Sequence, residues 1–446
     1  MKRSTFLKQV SGATISSLLI PSFLSSACRR DPNFEDFSYN GKILIIGAGA
    51  AGLYAGYLLK SKNIPFEILE ASGVYGGRLG KRTDFGIFPI DLGAQWMHGK
   101  NHLLGDLLKS TKTQTTLDDS EVMYWFKNQL TDQLPDTIDI FEGDDLPDIS
   151  YHAYARQKGL GEEFQYIIEA IAGDQGADAD RISVLYNNIE SNNWSSGDED
   201  YKFSETYFDF IDQHIAHPIQ NHIRLNTIIR EIDYAGDGVI LTDSQDRTYS
   251  GEKVIVTVPI TILKSNDIKF NPPLKAEKTE AFAKIGMDAG IKVFLRFSEK
   301  FFAENILGGK YCAAYIDDSI GKSFNDAVLM AFIMGKQAEY LSNLKGEDLL
   351  IQTLLKELDE MYEGRASKSF LNAHVQNWFT HPHIRGAYSY STIGMGDARS
   401  IAAQSVQKKV YFAGEAMNLN GHHQTVQGAV ETGYREVIQI LKDIQK

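Results

Sequence analysis

The stretch Lys42-Ile-Leu-Ile-Ile-Gly47-Ala-Gly49-Ala-Ala51-Gly52 constrains the fold more than any other part of the chain. A short apolar run between glycines reads as a buried strand, and here it runs straight into G-x-G-x-x-G. Leu53 to Lys62 (L-Y-A-G-Y-L-L-K-S-K) then reads as a helix, and Phe66-Glu-Ile-Leu69 as a second strand ending at Glu70. Gly47 makes the tight turn, and Gly49 with Ala51 lets a pyrophosphate approach the helix N-terminus. Gly52 permits close helix–strand packing, and Glu70 can accept bonds from ribose hydroxyls. The glycine spacing alone is weak. Strand before, helix after and an acid about 20 residues on make it a dinucleotide site. The expected class is α/β, with a Rossmann-like nucleotide domain. The motif does not separate NAD from FAD.

The bulk properties bound the rest. A chain of 446 residues, 43% hydrophobic, buries a large core and has room for two or three domains. Aromatic content of 11% excludes a disordered or fibrous chain. The formal charge of -13 speaks against nucleic acid as a partner and favours encounter with cations. Two cysteines, Cys28 and Cys312, give no disulfide framework. The start of the chain reads as a targeting segment. Basic Met1–Lys8 precedes a Ser-rich apolar run, Ile15 to Leu24, too short and too broken to span a bilayer. Lys2-Arg3-Ser4-Thr5-Phe6-Leu7-Lys8 resembles a bacterial twin-arginine export signal with lysine for one arginine, and Ser-Ala-Cys28 resembles a lipoprotein cleavage box. Residues 1–28 are therefore expected to be an export signal and 29–40 a tether. The mature protein would be periplasmic, or held at a membrane through a lipidated Cys28.

Glu70-Ala-Ser-Gly-Val-Tyr-Gly76-Gly77-Arg78 decides between the nucleotides. It resembles the flavin-dependent amine oxidase family, in which a Gly-Gly-Arg turn over the pyrophosphate follows the ribose-binding Glu. Adjacent glycines open the backbone to a phosphate, and a guanidinium can fork onto it. Near the C-terminus, Lys409-Val-Tyr-Phe-Ala-Gly414-Glu415 reads as a strand, a turn and an acid, and Thr425-Val426 opens an amphipathic last helix. The resemblance places Glu415 on the ribityl chain and aims that helix at the isoalloxazine, whose reduced form carries negative charge. It also assigns adenine to the backbone at Ile229, between Leu225 and Pro259. The implied cofactor is FAD. The implied architecture is an FAD domain from 41–100, 220–275 and 405–446, interleaved with an α+β substrate domain, built on a mixed sheet, from 101–219 and 276–404.

The same resemblance implies hydride transfer from the carbon bearing an amine to flavin N5, imine hydrolysis, and reoxidation by O2 to give H2O2. Ile285-Gly-Met-Asp-Ala-Gly-Ile-Lys292-Val-Phe-Leu-Arg-Phe297 resembles the family strand whose lysine holds a water near N5; an ordinary lysine at a sheet edge is the alternative. Trp378 would back the flavin, and Tyr388 would wall the substrate amine. Ala387 stands where monoamine oxidases attach FAD through cysteine, so the flavin is expected to be non-covalent. Thr425 stands where those enzymes carry a second aromatic wall. Gly93-Ala94-Gln95-Trp96-Met97-His98-Gly99 resembles a stretch of polyamine oxidases in which the His lies in the substrate tunnel. Gly93, Ala94, Gln95 and Trp96 are assigned to the cofactor and His98 to the substrate amine; the alternative is a core histidine. Asp174 lies roughly where some polyamine oxidases carry a tunnel acid, although a surface loop is the plainer reading. The run Gly197-Asp-Glu-Asp200-Tyr201 reads as a solvated loop. His381, His383, His422 and His423 lack metal-site spacing.

The expected function is oxidation of a polyamine or related cationic amine. An aromatic amine, an alkaloid amine or an L-amino acid is the alternative substrate on the same fold, with Arg296 or Arg385 available for a carboxylate. A lipid-tethered protein that keeps FAD without turnover is the third reading. Oligomeric state is not legible.

Overall fold

The computed structural model describes residues 39–135, 140–143, 145–322 and 326–445. The export, tether and lipidation expectations, apart from residues 39–40, fall outside the described residues. β1 (Ile43–Ile46), the helix α1 (Ala50–Ser61) and β2 (Phe66–Leu69) follow one another as the motif predicts, with α1 starting three residues earlier. All four residues of β1 are buried because both faces of the sheet are covered: Ile43 and Ile45 pack into one core and Leu44 and Ile46 into another. The sheet runs Ile223–Arg224, β2, β1, Lys253–Val256, Val410–Phe412, and every pairing is parallel.

α2 (Val426–Ile444), the last helix, lies along α1. A Cβ at Gly433 would stand 2.3 Å from the Ala51 carbonyl oxygen, so only glycine lets the two backbones come this close. The helix after β1 and the last helix are thereby clamped together beside the sheet.

The second sheet is mixed. It runs Phe370–Asn377, Gly290–Phe297, Ala327–Met334, Ala314–Asp317, Asn305–Leu307, Val122–Phe126, Gln129–Thr131. Only the Asn305–Leu307 and Val122–Phe126 pair is parallel. Gly290–Phe297 is flanked by long strands on both sides, which makes it an interior strand.

Phe203, Tyr207, Phe210, Ile211, Ile215 and Ile219 join the core of Leu53, Leu59 and Ile68, so 203–219 travels with the nucleotide sheet. The apolar spacing of this stretch shows a buried face but not which sheet will cover it.

Candidate active site

One continuous cavity of about 830 Å³ is lined by residues of both sheets, within the usual range for ligand sites. It is lined at one end by Gly47, Gly49, Ala51 and Glu70, then by Gly77, Arg78, Ile229, Gly414 and Glu415. It continues past Gly93, Ala94, Gln95 and Trp96 to Lys292, Trp378, Tyr388 and His98, with Thr425 and Val426 beside them. Gly52 alone of the assigned residues does not line it. Its place is behind the turn, where an added Cβ would lie 2.0 Å from the Gly47 carbonyl oxygen.

The nucleotide end fits a diphosphate. Gly47 takes φ +102°, which turns the chain out of β1. No side chain caps α1 and no acid occupies its first turn, so its N–H groups and positive end open into the cavity. A Cβ placed on Gly49 meets nothing within 4 Å, which marks space kept for something other than protein. Glu70 accepts from the Ala48 amide at 2.6 Å and the Ser72 amide at 2.8 Å, which braces the turn with one carboxylate.

Arg78 and Glu415 meet in the middle. The guanidinium bonds Glu415 at 2.9 Å and the Ala387 carbonyl at 2.8 Å. Glu415 also takes the Ser389 hydroxyl at 2.7 Å and the Gln424 amide at 2.9 Å. Burial works against its charge, yet Arg78, Ser389 and Arg399 hold its pKa below the usual value. These two residues therefore join three chain segments besides lining the cavity. Thr425 acts locally, since its hydroxyl caps α2 by accepting from the Gly428 amide at 3.0 Å.

The Gly93–Gly99 stretch resolves by strand alternation. Trp96–His98 is a strand in which Met97 is fully buried in the nucleotide core while Trp96 and His98 turn to the cavity. Its partner strand is Asp200–Phe203, and His98 stands opposite Asp200. His98 Nδ1 lies 2.7 Å from Asp200 Oδ1, and the Trp194 ring meets the imidazole edge-on at 6.3 Å. Asp200 is thus buried in a strand, which corrects the solvated-loop reading at Asp200 and Tyr201, while Asp198 and Glu199 are exposed outside any strand as that reading expected. Pairing across 102 residues left no local signal. Trp96 Nε1 donates to Asp118 at 2.7 Å.

Lys292 is 4% exposed on its interior strand, so a sheet-edge lysine does not describe it. Its ammonium donates to Gln95 Oε1 and to the Asp91 carbonyl at 3.3 Å. Burial lowers its pKa, while Asp318 and then Asp91 pull it back up. Trp378 is nearly buried and donates to the Leu92 carbonyl at 2.9 Å; Tyr388 donates to the carbonyls of Gly173 and Asp174, at 3.2 and 3.1 Å. Asp174 itself lines the cavity. Asp91, Lys202 and Asp318 escaped the sequence reading, because each meets the site from a different element. Arg385 lines the cavity but bonds Asp267 at 2.6 Å, and Arg296 bonds Asp326 at 2.8 Å. Among the described residues no cluster of three His, Cys, Asp or Glu side chains could hold a metal.

The family model of flavin containing amine oxidoreductases matches residues 50–154 and 209–441. The chain belongs to this family. Its cofactor is FAD, and its fold is the FAD-binding amine oxidase fold. The flavin amine oxidoreductase is 27% identical to human lysine-specific histone demethylase 2 over 90% of the chain and 53% of that protein. It therefore spans about half the length of that relative. It is 26% identical to polyamine oxidase 4 of Oryza sativa subsp. japonica, over 90% of this chain and 89% of that one. In structure it resembles putrescine oxidase bound to putrescine, with TM-score 0.77 at 19% identity, covering 91% of this chain and 99% of that one. It is also similar to cyclohexylamine oxidase from Brevibacterium oxydans, with TM-score 0.75 at 19% identity over 92% and 100% of the two chains.

Ala387 lines the cavity and has no atom able to bond the flavin covalently. Acid or heat is expected to release all the FAD from purified protein. Yellow colour retained in the washed precipitate would refute non-covalent binding.

Proposed function

We propose that this flavin amine oxidoreductase oxidises a polyamine or a related cationic amine, with O2 as the electron acceptor. One observation carries the reading: a single cavity joins the uncapped N-terminus of α1 to the buried Lys292 and to the Trp378, Tyr388 and His98 surround. Bound FAD supplies a two-electron acceptor for the hydrogen on the carbon beside the amine nitrogen.

The chain's residues do the remaining work. Gly49, Glu70 and Arg78 would hold the diphosphate and ribose, and Glu415 the ribityl chain. Trp378 and Tyr388 line the same cavity, where Trp378 would back the flavin and Tyr388 would wall the amine and help exclude water. His98, kept in orientation by Asp200, can accept a proton or hydrogen bond from a substrate ammonium. Asp174 adds a carboxylate to the same cavity, and the -13 net charge favours encounter with a polycation. An amino-acid substrate would need a cation for its carboxylate, and the two candidate arginines are already paired to Asp267 and Asp326.

The deciding experiment is anaerobic mixing with a panel of polyamines, monoamines and L-amino acids while flavin absorbance is followed. Polyamines should bleach the flavin fastest. Bleaching by amino acids alone would replace the substrate class, and no bleaching by any amine would leave an FAD-binding protein without turnover.

His98→Asn is expected to slow flavin reduction by cationic amines by about tenfold or more, because an asparagine side chain cannot accept a proton from the substrate ammonium as an imidazole nitrogen can. Asparagine can still donate to Asp200, so the strand pair should survive. A lower melting temperature with an unchanged reduction rate would make His98 a core histidine.

A further inference from the structure

Gln95 is 3% exposed, and both ends of its amide are engaged. Oε1 accepts from the Lys292 ammonium, and Nε2 donates to Asp318 Oδ1 at 3.3 Å. Only one orientation of the amide satisfies both neighbours. Rotating it by half a turn would set its NH2 group against the ammonium and its carbonyl against the carboxylate. Asp318 is itself fixed, with its amide bonded to the Val328 carbonyl at 2.9 Å and its side chain 2% exposed. Its Oδ2 finds no hydrogen-bond donor among the described residues.

The charges around this line are all buried. Lys292 faces Asp318 and Asp91 on one side of the balance and Lys202 and Lys322 on the other. Lys322 stands 3.5 Å from Asp91, which also accepts from the Tyr207 amide at 2.9 Å. Lys202 stands 3.6 Å from Asp118 and donates to the Asp317 carbonyl at 3.2 Å. Apolar side chains of similar volume generally stabilise a core as well as buried ions do, so stability does not account for this constellation. It comes together at one ammonium on the cavity wall.

We infer that Gln95 and Asp318 are positioning residues for Lys292. Gln95 takes one ammonium hydrogen and the Asp91 carbonyl a second, so the third is left for a group in the cavity. Asp318 locks the amide of Gln95 and balances the lysine charge across it. Burial pushes the Lys292 pKa down and Asp318 is the largest influence raising it, so loss of the Asp318 charge should lower it further. The inference rests on the reading in which Lys292 stands beside the flavin, and the test separates the two.

The test uses the FAD-loaded enzyme without substrate, its visible flavin spectrum titrated with alkali, and then anaerobic flavin reduction across pH. The wild type should show a spectral transition below the ordinary lysine value of about 10.4, and Lys292→Met should lack it. Asp318→Asn keeps the acceptor for Gln95 and removes only charge; it should move the transition down by about half a unit or more. Gln95→Leu removes the acceptor and should cut the limiting reduction rate by about tenfold or more, with apparent amine affinity changed by less than about threefold. A transition that is absent in the wild type, or persists in Lys292→Met, overturns both this inference and the placement of Lys292. A transition lost in Lys292→Met but unmoved in Asp318→Asn, with Gln95→Leu reducing at the wild-type rate, overturns the inference alone, whatever happens to the melting temperatures.

Discussion

Lys292→Met is expected to slow flavin reduction or reoxidation by about 100-fold or more, about 2.7 kcal/mol of barrier, with FAD content unchanged. The ammonium bonds Gln95 and the Asp91 carbonyl and touches no residue of the nucleotide turn, so its loss should reach the chemistry and spare cofactor binding. Methionine fills most of the same volume beside the Trp96 and Phe294 rings, and it leaves Gln95 and Asp318 without the ammonium. The substitution also changes the pH dependence of stability. Burial sets the folded-state pKa of Lys292 below that of the unfolded chain. Between those two values the unfolded chain binds more protons, so this group adds stability as pH rises through the window. That rise should disappear in the variant, which thermal melts at several alkaline pH values would show. Reduction and reoxidation rates both within about threefold of wild type, under roughly 1 kcal/mol, would make Lys292 a structural residue.

Gly49→Ala and Gly52→Ala should separate cofactor binding from folding, although the residues are only three apart. At Gly49 the φ of -78° suits alanine, and the new methyl meets no protein atom within 4 Å. The polypeptide should fold normally, but the methyl occupies the space in front of the open end of α1. Affinity for FAD should fall by about 100-fold or more, about 2.7 kcal/mol, read by FAD titration of the apoprotein. Gly52 is the opposite case. Its methyl would lie 2.0 Å from the Gly47 carbonyl oxygen and 3.0 Å from the Thr257 hydroxyl. Helix and turn must then part, and both solubility and melting temperature should drop before FAD is considered. Tight FAD binding by Gly49→Ala would mean that the cofactor does not use this end of the cavity.

Local chemistry made part of this molecule readable in advance. Strand, glycine turn, helix and acid lie within 30 consecutive residues, and each has a conformational or steric requirement that few residue types meet. The Ala at 387 and the Thr at 425 were equally visible as side chains unable to do what a cysteine or an aromatic would do. The mixed sheet was anticipated only as what the family resemblance implied; the alternating run around Lys292 spoke for a strand and not for its neighbours.

Long-range pairing supplied the rest. Asp200 looked like one acid in a solvated run until strand pairing set it opposite His98, 102 residues away. Lys292 had no visible partner until Gln95, 197 residues back along the chain, reached it, held in turn by Asp318 just past Ala314–Asp317, a strand two places away in the same sheet. The sequence by itself determined the nucleotide turn, the class of cofactor and the residue types present for the chemistry, because those follow from contacts within a few residues. Which buried charges balance one another, and toward which face His98 and Lys292 turn, only the tertiary structure decided. Those energies depend on desolvation and on distances of a few ångströms between segments that are far apart along the linear chain.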